Sequence, residues 1–598
     1  MSGQAASAPS FAQRSFAHRL PLNRIWVSAQ RGHLVGVVAL GGVLGIAALS
    51  YWWTRAPLYN PSGTIDPWLY TALFVNFDQI YEHFGTTYYA SRLPWIVPGR
   101  IVYGVLPVDA AYWVLHGLAF SGGVAALFFL VRRYLGVAAG VVGAVTLALT
   151  PMYWNAQYWD YIDGVTLTYL LAGLCFGLPL ASGRRRAASL AAAGVFFAAA
   201  VTTNLFVALV AVIYPTAYVF VQPTAGLRQR FVMAFKDVAA LFVGATALVV
   251  ALGFYARANG GPFLFFKPQL DVIRSGVVGT YKVPGYEWLR SEPRLLVPVF
   301  LVAVAAPVLA LGRRLPPFRF AAGATAGLAL LTTVIYGWEF FAGGSVLEYP
   351  YYFSYFAISI ALTMASVAAL AISLVRSRRT AKAGVVAATT IAAVVSLGLI
   401  FRNEREEWTG RSGMRIALAV MGVAALMMVG AVVIRRTRVG TVAAVVATGA
   451  VAVACHLAIN SSTGTFVLSS TAPNNRNLYH AALDQVAFVK RSAPQDNSLP
   501  VFWYPAAKRP DLVSIQSMYY FGYTYLDLDL PKVTPGMRQR LDRFKPQKIV
   551  MLCETRDCAG GPAALRRAGY SYAQVSARLI SRGQVRLWAV LLRRSPSE

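Results

Sequence analysis

The feature that most constrains this chain is a series of long apolar blocks separated by short arginine-rich clusters. Each block has about 18–24 residues, the length that an α-helix needs to cross roughly 30 Å of hydrocarbon. Only 13% of the 598 residues are charged and 57% are hydrophobic, whereas a soluble globular protein carries roughly 25% charged residues. The pattern therefore predicts an α-helical polytopic membrane protein and excludes a soluble fold for most of the chain.

The blocks predict about thirteen membrane-spanning helices, as the length of a bilayer span requires. Basic clusters follow every second block, and such clusters mark the cytoplasmic side. This alternation predicts a cytoplasmic segment at 1–33, a transmembrane domain at 34–459, and a domain at 460–598 on the opposite side of the membrane. The predicted spans are 34–53, 109–131, 135–153, 164–181, 188–202, 205–221, 238–255, 295–311, 320–338, 351–375, 384–401, 416–434 and 441–459.

Two of the predicted outer loops are long, at 54–108 and 256–294. Both are rich in aromatic residues and proline, and neither is apolar enough to span a membrane. The segments 68–84 and 263–278 have an amphipathic pattern, which is typical of helices that lie on a bilayer surface.

The tail at 460–598 differs from the rest of the chain. A polar helical pattern at 478–491 alternates with strand patterns, which predicts a small α/β domain. Cys553 and Cys558 lie close together in this tail, and an oxidising compartment favours a disulfide between them. The strand patterns are at 500–504, 548–553 and 585–592.

The formal net charge is +30. Such a charge is one signature of nucleic-acid binding, but here the arginines lie between apolar blocks, as the orientation rule for membrane proteins expects. The basic tail suits an anionic membrane surface or a phosphorylated lipid. The sequence therefore indicates membrane lipids, and no nucleic acid, as partners.

Three carboxylates near predicted outer helix ends are the candidate catalytic residues. Asp66 follows the first span, and its ionised carboxylate could accept a proton. Asp66 followed by Pro67 is also a normal start of a helix, so an N-cap is the alternative. Asp160 and Asp163 lie in a very short outer loop among aromatic residues, where polar side chains generally face a cavity. Asp163 is the better candidate for a helix cap, and Asp160 is harder to explain in that way.

Further candidates share the outer face. Glu348, Tyr349 and Tyr89 are candidate substrate-binding residues, and an interfacial belt of tyrosines is the alternative. Basic side chains could bind a donor phosphate, for which two or three are enough, although each of them could instead be a surface anchor. The basic candidates are Arg92, Arg100, Lys267, Arg274 and Lys282. No cofactor is indicated with certainty, and a divalent metal with unknown ligands stays open.

Several features together resemble one group of membrane enzymes. They are the long first outer loop, Asp66 after the first helix, the run Ser91-Arg92-Leu93-Pro94-Trp95 and the short acidic second loop. Over roughly the first 350 residues the chain is similar to the GT-C superfamily of membrane glycosyltransferases. It is most similar to the family 39-like branch, which includes protein O-mannosyltransferases and lipid A aminoarabinose transferases.

The resemblance implies that 34–459 is a GT-C-like domain in the inner membrane of a bacterium and that the domain at 460–598 is periplasmic. It also implies a lipid-phosphate-sugar-dependent hexosyl- or pentosyltransferase that uses a polyprenyl-phosphate sugar donor and a glycolipid (including lipopolysaccharide), polysaccharide or protein acceptor. It implies that Asp66 is the catalytic base, and that Asp160 or Asp163 helps to place the acceptor or a metal. Family 39 usually has Asp-Glu in the first loop, whereas Pro67 follows Asp66 here, and the chain has no added β-trefoil modules. The alternative function, from another class, is a transporter or flippase for a lipid-linked anion.

Overall fold

The computed structural model describes most of the first 376 residues and much of the tail. The described residues are 22–53, 66–84, 86–150, 153, 156–157, 161–178, 184–210, 227–275, 315, 318–342, 354–376, 477, 480–481, 484–485, 487–489, 491–492, 501–504, 533–553, 556 and 558–595.

The described part of the first 376 residues is α-helical. Each helix has a continuous apolar stretch or an apolar face, as burial in a bundle or in lipid requires. The helices are α1 (Leu22–Trp53), α2 (Asp66–Phe84), α3 (Leu93–Val105), α4 (Val108–Leu135), α5 (Val137–Leu149), α6 (Tyr161–Gly177), α7 (Arg184–Thr203), α8 (Val207–Val210), α9 (Leu227–Ala258), α10 (Lys267–Ser275), α11 (Phe318–Ala342) and α12 (Phe356–Arg376).

Five helical stretches are long and apolar enough to cross a membrane, and three shorter helices are also apolar. All eight coincide with spans predicted from the sequence. The five are Ala110–Leu135, Arg185–Thr203, Phe235–Ala258, Phe318–Ile335 and Phe356–Leu374, and the three are Leu34–Leu49, Val137–Leu149 and Ile162–Gly177. The predicted spans at 295–311, 384–401, 416–434 and 441–459, and most of 205–221, lie outside the described residues. The count of thirteen therefore stays a prediction.

The core of the bundle is formed mainly by α4, α5, α6 and α12, whose apolar side chains make one cluster. A single residue, Gly136, joins α4 to α5, and its φ of 90° lies in the region that favours glycine. By contrast, α9 exposes Phe235, Phe242 and Phe254. A bare apolar surface of this kind suits contact with lipid tails.

Helices α7 and α9 cross at two glycines. A Cβ added at Gly194 would lie 1.9 Å from the carbonyl oxygen of Leu241, and one added at Gly244 would lie 1.8 Å from that of Ala191. Small residues allow such a close backbone approach between membrane helices. Near this crossing Arg186 forms an ion pair with Asp237.

The first outer loop contains α2 and α3, which pack against each other. Along α2 the residues Tyr70–Phe74 are buried by protein, whereas the amphipathic pattern alone predicted a helix lying on the bilayer surface. Ring contacts between α2 and α3, such as that of Phe74 with Trp95 at 5.7 Å between centroids, explain this burial. The loop is therefore a packed part of the fold.

The tail contains a four-stranded sheet in the order β1-β2-β4-β3. Strands β1 (Val501–Tyr504) and β2 (Lys548–Cys553) are parallel, whereas β4 (Val585–Arg594) is antiparallel to β2 and to β3 (Tyr572–Arg582). Helices α13 (Pro535–Phe544) and α14 (Gly561–Arg567) lie between β1 and β3 in the chain. The predicted strands are confirmed, whereas β3 was not predicted.

Both faces of this sheet are covered. One face packs with Met537, Leu541 and Leu565 of α13 and α14. On the other face, Val550 and Ile580 belong to an apolar cluster that also contains Tyr70 and Trp95 of the first outer loop. The Cys553–Cys558 disulfide is present, as predicted.

Candidate functional site

Asp163 is the centre of a buried group of polar side chains. It lies in the first turn of α6, and its exposed fraction is 0%. Nδ2 of Asn204 donates to Oδ1 of Asp163 at 2.7 Å, and the Tyr355 hydroxyl donates to the same oxygen. Nδ2 of Asn204 also donates to the Tyr355 hydroxyl at 2.9 Å. We call Asp163, Asn204 and Tyr355 the carboxylate node.

The carboxylate node joins three parts of the chain that are distant in sequence. Asp163 comes from the start of α6, Asn204 from the turn after α7, and Tyr355 from the residue before α12. A buried carboxylate is costly unless hydrogen-bond donors surround it, and the two donors at Oδ1 meet this need. The sequence suggested a cap role for Asp163, but α6 begins at Tyr161, so Asp163 lies inside the helix and binds side chains from distant segments.

The long outer loop at 256–294 is attached beside the carboxylate node. Nε2 of Gln269, which is buried in α10, donates to the carbonyl oxygen of Thr202 at 2.7 Å. Thr202 is two residues before Asn204 in the chain. This bond holds α10, which contains Lys267 and Arg274, near the end of α7.

Arg92 forms the second polar feature of this end of the bundle. Its guanidinium carbon lies 4.2 Å from the ring centroid of Tyr88, 5.4 Å from that of Tyr70 and 5.9 Å from that of Tyr89. The residue is only 3% exposed. A cation over aromatic faces is attracted by the negative charge of the ring faces, so the three tyrosines form a cage around Arg92, which we call the arginine cage.

The arginine cage and the carboxylate node are linked through α6. The hydroxyl of Tyr169 on α6 donates to the carbonyl oxygen of Pro94, two residues after Arg92, at 2.7 Å. Tyr169 follows Asp163 by six residues, or roughly 9 Å along a helix axis. Ile162, next to Asp163, also belongs to the apolar cluster that contains Tyr70. The two features therefore share one end of the bundle.

Asp66 is the first residue of α2, in agreement with the expectation of a helix start. Its side chain is not described, but its backbone position relates it to the arginine cage. Residues four apart lie on the same helix face, and Tyr70 is four residues after Asp66. Asp66 is therefore on the α2 face that carries a tyrosine of the cage.

The remaining basic candidates have different surroundings. Nη2 of Arg100 forms an ion pair with Asp78 at 2.6 Å, and Nη1 donates to the Tyr255 hydroxyl at 2.9 Å. Lys267 is exposed at the start of α10. Arg274 lies in α10, and its side chain is not described. Asp160, Lys282, Glu348 and Tyr349 lie outside the described residues.

The structure therefore brings Arg92, Tyr89 and Asp163 to one end of the bundle. Sequence reasoning did not find Asn204, Tyr355 or Gln269. The available signal for Asn204 was an amide side chain between two mainly apolar segments, Ala198–Thr203 and Leu205–Val210. Tyr355 carried no comparable signal, because tyrosines are common at membrane interfaces. Across the described ranges, no three acidic, histidine or cysteine side chains come together as ligands for a metal ion.

The fold and this site define an α-helical membrane-type protein with buried polar groups at one end of its bundle and a small α/β domain in its tail. No family model matches the chain, and no curated protein matches it. Among solved structures it is similar to ArnT from Cupriavidus metallidurans in the apo state, at 16% identity and a TM-score of 0.46, over 93% of this chain and 98% of ArnT. It is also similar to ArnT from the same organism bound to undecaprenyl phosphate, at 16% identity and a TM-score of 0.42, over 94% of this chain and 98% of ArnT.

Proposed function

We propose that this protein is a membrane glycosyltransferase that moves a sugar from a polyprenyl-phosphate donor to a hydroxyl group of a glycolipid, polysaccharide or protein. The observation that carries the proposal is that Asp66 lies on the face of α2 that carries Tyr70, whose ring forms part of the arginine cage. A phosphate leaving group needs a cation, and an attacking hydroxyl needs a base. Asp66 is the candidate base and Arg92 the candidate cation at this end of the bundle. The alternation of basic clusters between the predicted spans predicts that this end faces the periplasm.

In the proposed reaction, Asp66 takes the proton of the acceptor hydroxyl while the acceptor oxygen attacks the anomeric carbon of the sugar. The bond between that carbon and the lipid phosphate oxygen breaks, and the lipid phosphate leaves with its negative charge. Arg92, together with Lys267 and Arg274 of α10, stabilises this developing charge. A cation held in place before the reaction is effective because it needs no reorganisation when the charge appears. Asp163 orients the acceptor.

The carboxylate node supports this division of roles. Oδ1 of Asp163 already accepts two hydrogen bonds, from Asn204 and Tyr355. Two donors from distant segments fix the orientation of this carboxylate, which suits it to orienting a substrate. The proton-accepting role is therefore assigned to Asp66.

The test is the Asp66→Asn variant, assayed for sugar transfer from a purified polyprenyl-phosphate donor. Asn caps a helix about as well as Asp, so folding should survive while turnover falls by at least about 100-fold, the lower end for loss of a general base. The matched control is Asp484→Asn in the tail, where the carboxylate forms a surface ion pair with Arg582. Such a pair contributes little, and transfer should be unchanged.

A monodisperse Asp66→Asn protein with near-normal transfer would contradict the mechanism. If the wild-type protein moved the lipid between leaflets of a vesicle without transferring sugar, the transporter function would replace the proposed one.

A further inference from the structure

Both ends of the Asn204 amide, Nδ2 and Oδ1, form hydrogen bonds. Its Nδ2 donates to Oδ1 of Asp163 and to the Tyr355 hydroxyl, while its Oδ1 accepts from the backbone N–H of Phe206 at 3.1 Å. A flipped amide would point its carbonyl oxygen at the Asp163 carboxylate, and two acceptors repel each other. Only one orientation of Asn204 therefore fits the site.

The turn that contains Asn204 also holds the Tyr355 side chain. The Phe206 ring lies against the Tyr355 ring, with 5.3 Å between centroids. Asn204 contacts the hydroxyl end of that side chain, and Tyr355 in turn donates to Asp163. This closed set of three hydrogen bonds connects the ends of α6, α7 and α12. Loss of one member leaves buried polar groups of the other two without a bond, which is more costly than the bond itself is worth.

The same turn supports α10, which lies in the long outer loop at 256–294. Gln269 of α10 binds the carbonyl oxygen of Thr202, in the last turn of α7 just before Asn204. A change in the path of this turn would move α10, and with it the backbone of Lys267 and Arg274. Asn204 is therefore hydrogen-bonded to Asp163 and lies two residues from Thr202, the residue that binds α10.

We infer that Asn204 is a positioning residue for the transfer reaction. It fixes the orientation of the Asp163 carboxylate and, through the turn at residues 202–206, the position of α10. This inference rests on the proposed function. It assigns no contact with substrate to Asn204. It requires that Asn204 act through Asp163 and through α10.

The first test measures turnover in Asn204→Ala, with Asn259→Ala as the matched control. Asn259 is an amide at the end of α9 that donates only locally, to the carbonyl oxygen of Tyr255. We expect the kcat of Asn204→Ala to fall at least about tenfold, while the KM for the polyprenyl-phosphate donor stays within about threefold. Misplacement of groups that act in the transition state lowers kcat more than it changes binding. The control should keep wild-type values of both constants.

A purely structural role for Asn204 would lower the melting temperature of Asn204→Ala and leave the kcat of the folded protein unchanged. That result would overturn the inference. An equal loss of kcat in Asn259→Ala would also overturn it, because the effect would then not be specific to the carboxylate node.

The second test needs no activity. The Asn204→Asp variant places two carboxylates together, whereas Asp163→Asn/Asn204→Asp exchanges the amide and the carboxylate and restores one donor and one acceptor. Contacting residues couple, and a double-mutant cycle measures this coupling. In detergent, the melting temperature of Asn204→Asp should be roughly 2–4 °C below that of wild type. The Asp163→Asn/Asn204→Asp variant should recover half or more of that loss.

Additive losses in the exchanged protein would show that the two residues are not coupled and would overturn the inference. If wild-type protein transferred no sugar, the proposed function would fail, while the melting cycle would still decide whether Asn204 holds Asp163.

Discussion

The guanidinium group of Arg92 lies over the ring of Tyr88, with 4.2 Å between its central carbon and the ring centroid. Tyr70 and Tyr89 complete the arginine cage. A planar guanidinium group stacks on aromatic faces, whereas a lysine ammonium group is a compact, strongly hydrated charge. The cage is therefore matched to arginine and not simply to positive charge.

The Arg92→Lys variant tests this match. It keeps the charge but loses the planar stacking and the fixed fork of N–H donors of the guanidinium group. We expect kcat/KM for the polyprenyl-phosphate donor to fall at least about tenfold, since 1.36 kcal/mol corresponds to tenfold in rate. The control is Arg257→Lys, at an exposed arginine in the last turn of α9, which should have normal kinetics. Equal activity of Arg92→Lys and wild type would remove Arg92 from the donor site.

The crossing of α7 and α9 gives a prediction about stability. In Gly194→Ala the new Cβ would lie 1.9 Å from the carbonyl oxygen of Leu241, so the two helices must separate. Overpacking of this kind costs about 1–3 kcal/mol, and the melting temperature in detergent should fall. Gly45→Ala is the control, since a Cβ there meets nothing within 4 Å. An unchanged melting temperature for Gly194→Ala would contradict the close crossing.

The Cys553–Cys558 disulfide predicts the pattern of free thiols. Labelling of the unreduced, denatured protein should modify Cys175, which is free, and leave Cys553 and Cys558 unmodified until a reductant is added. The bond closes a short loop, for which chain entropy gives roughly 2 kcal/mol of stabilisation. The Cys553→Ala/Cys558→Ala protein should therefore have a tail that melts earlier. Labelling of both tail cysteines without reductant would contradict the bond.

The orientation in the membrane is a separate prediction. Alkaline phosphatase is active only outside the cytoplasm, so a fusion after residue 598 should be active. A fusion after Arg186, which belongs to a predicted cytoplasmic cluster, should be inactive. The reverse pattern would place Asp66 and the arginine cage in the cytoplasm, and a periplasmic donor would no longer fit.

The tail illustrates which strands sequence patterns can predict. Strand β2 was predictable because its residues Ile549–Cys553 are all buried, which requires a continuous apolar run. Strand β3 lies at the edge of the sheet, and most of its side chains are exposed. Its polar residues therefore carry no strong strand pattern. Pairing with β4 over almost its whole length makes it a strand.

The basic candidates show a second limit. Arg92 and Arg100 lie eight residues apart in the same loop and looked equivalent from the sequence. In the structure Arg100 forms an ion pair with Asp78 of α2, whereas tyrosine rings surround Arg92. The difference depends on how α2 packs against α3, and residue type does not reveal it.

The sequence by itself determined the apolar helices, the helix start at Asp66, the α/β character of the tail and the disulfide. Each of these depends on local properties: the length of an apolar run, the preference of a residue for a helix start, or the spacing of two cysteines. Tertiary structure alone decided the carboxylate node, because Asn204 and Asp163 are 41 residues apart and Tyr355 is 192 residues from Asp163. Hydrogen bonds over such separations require the packed helix ends, since no local pattern in the chain records which side chains will meet there.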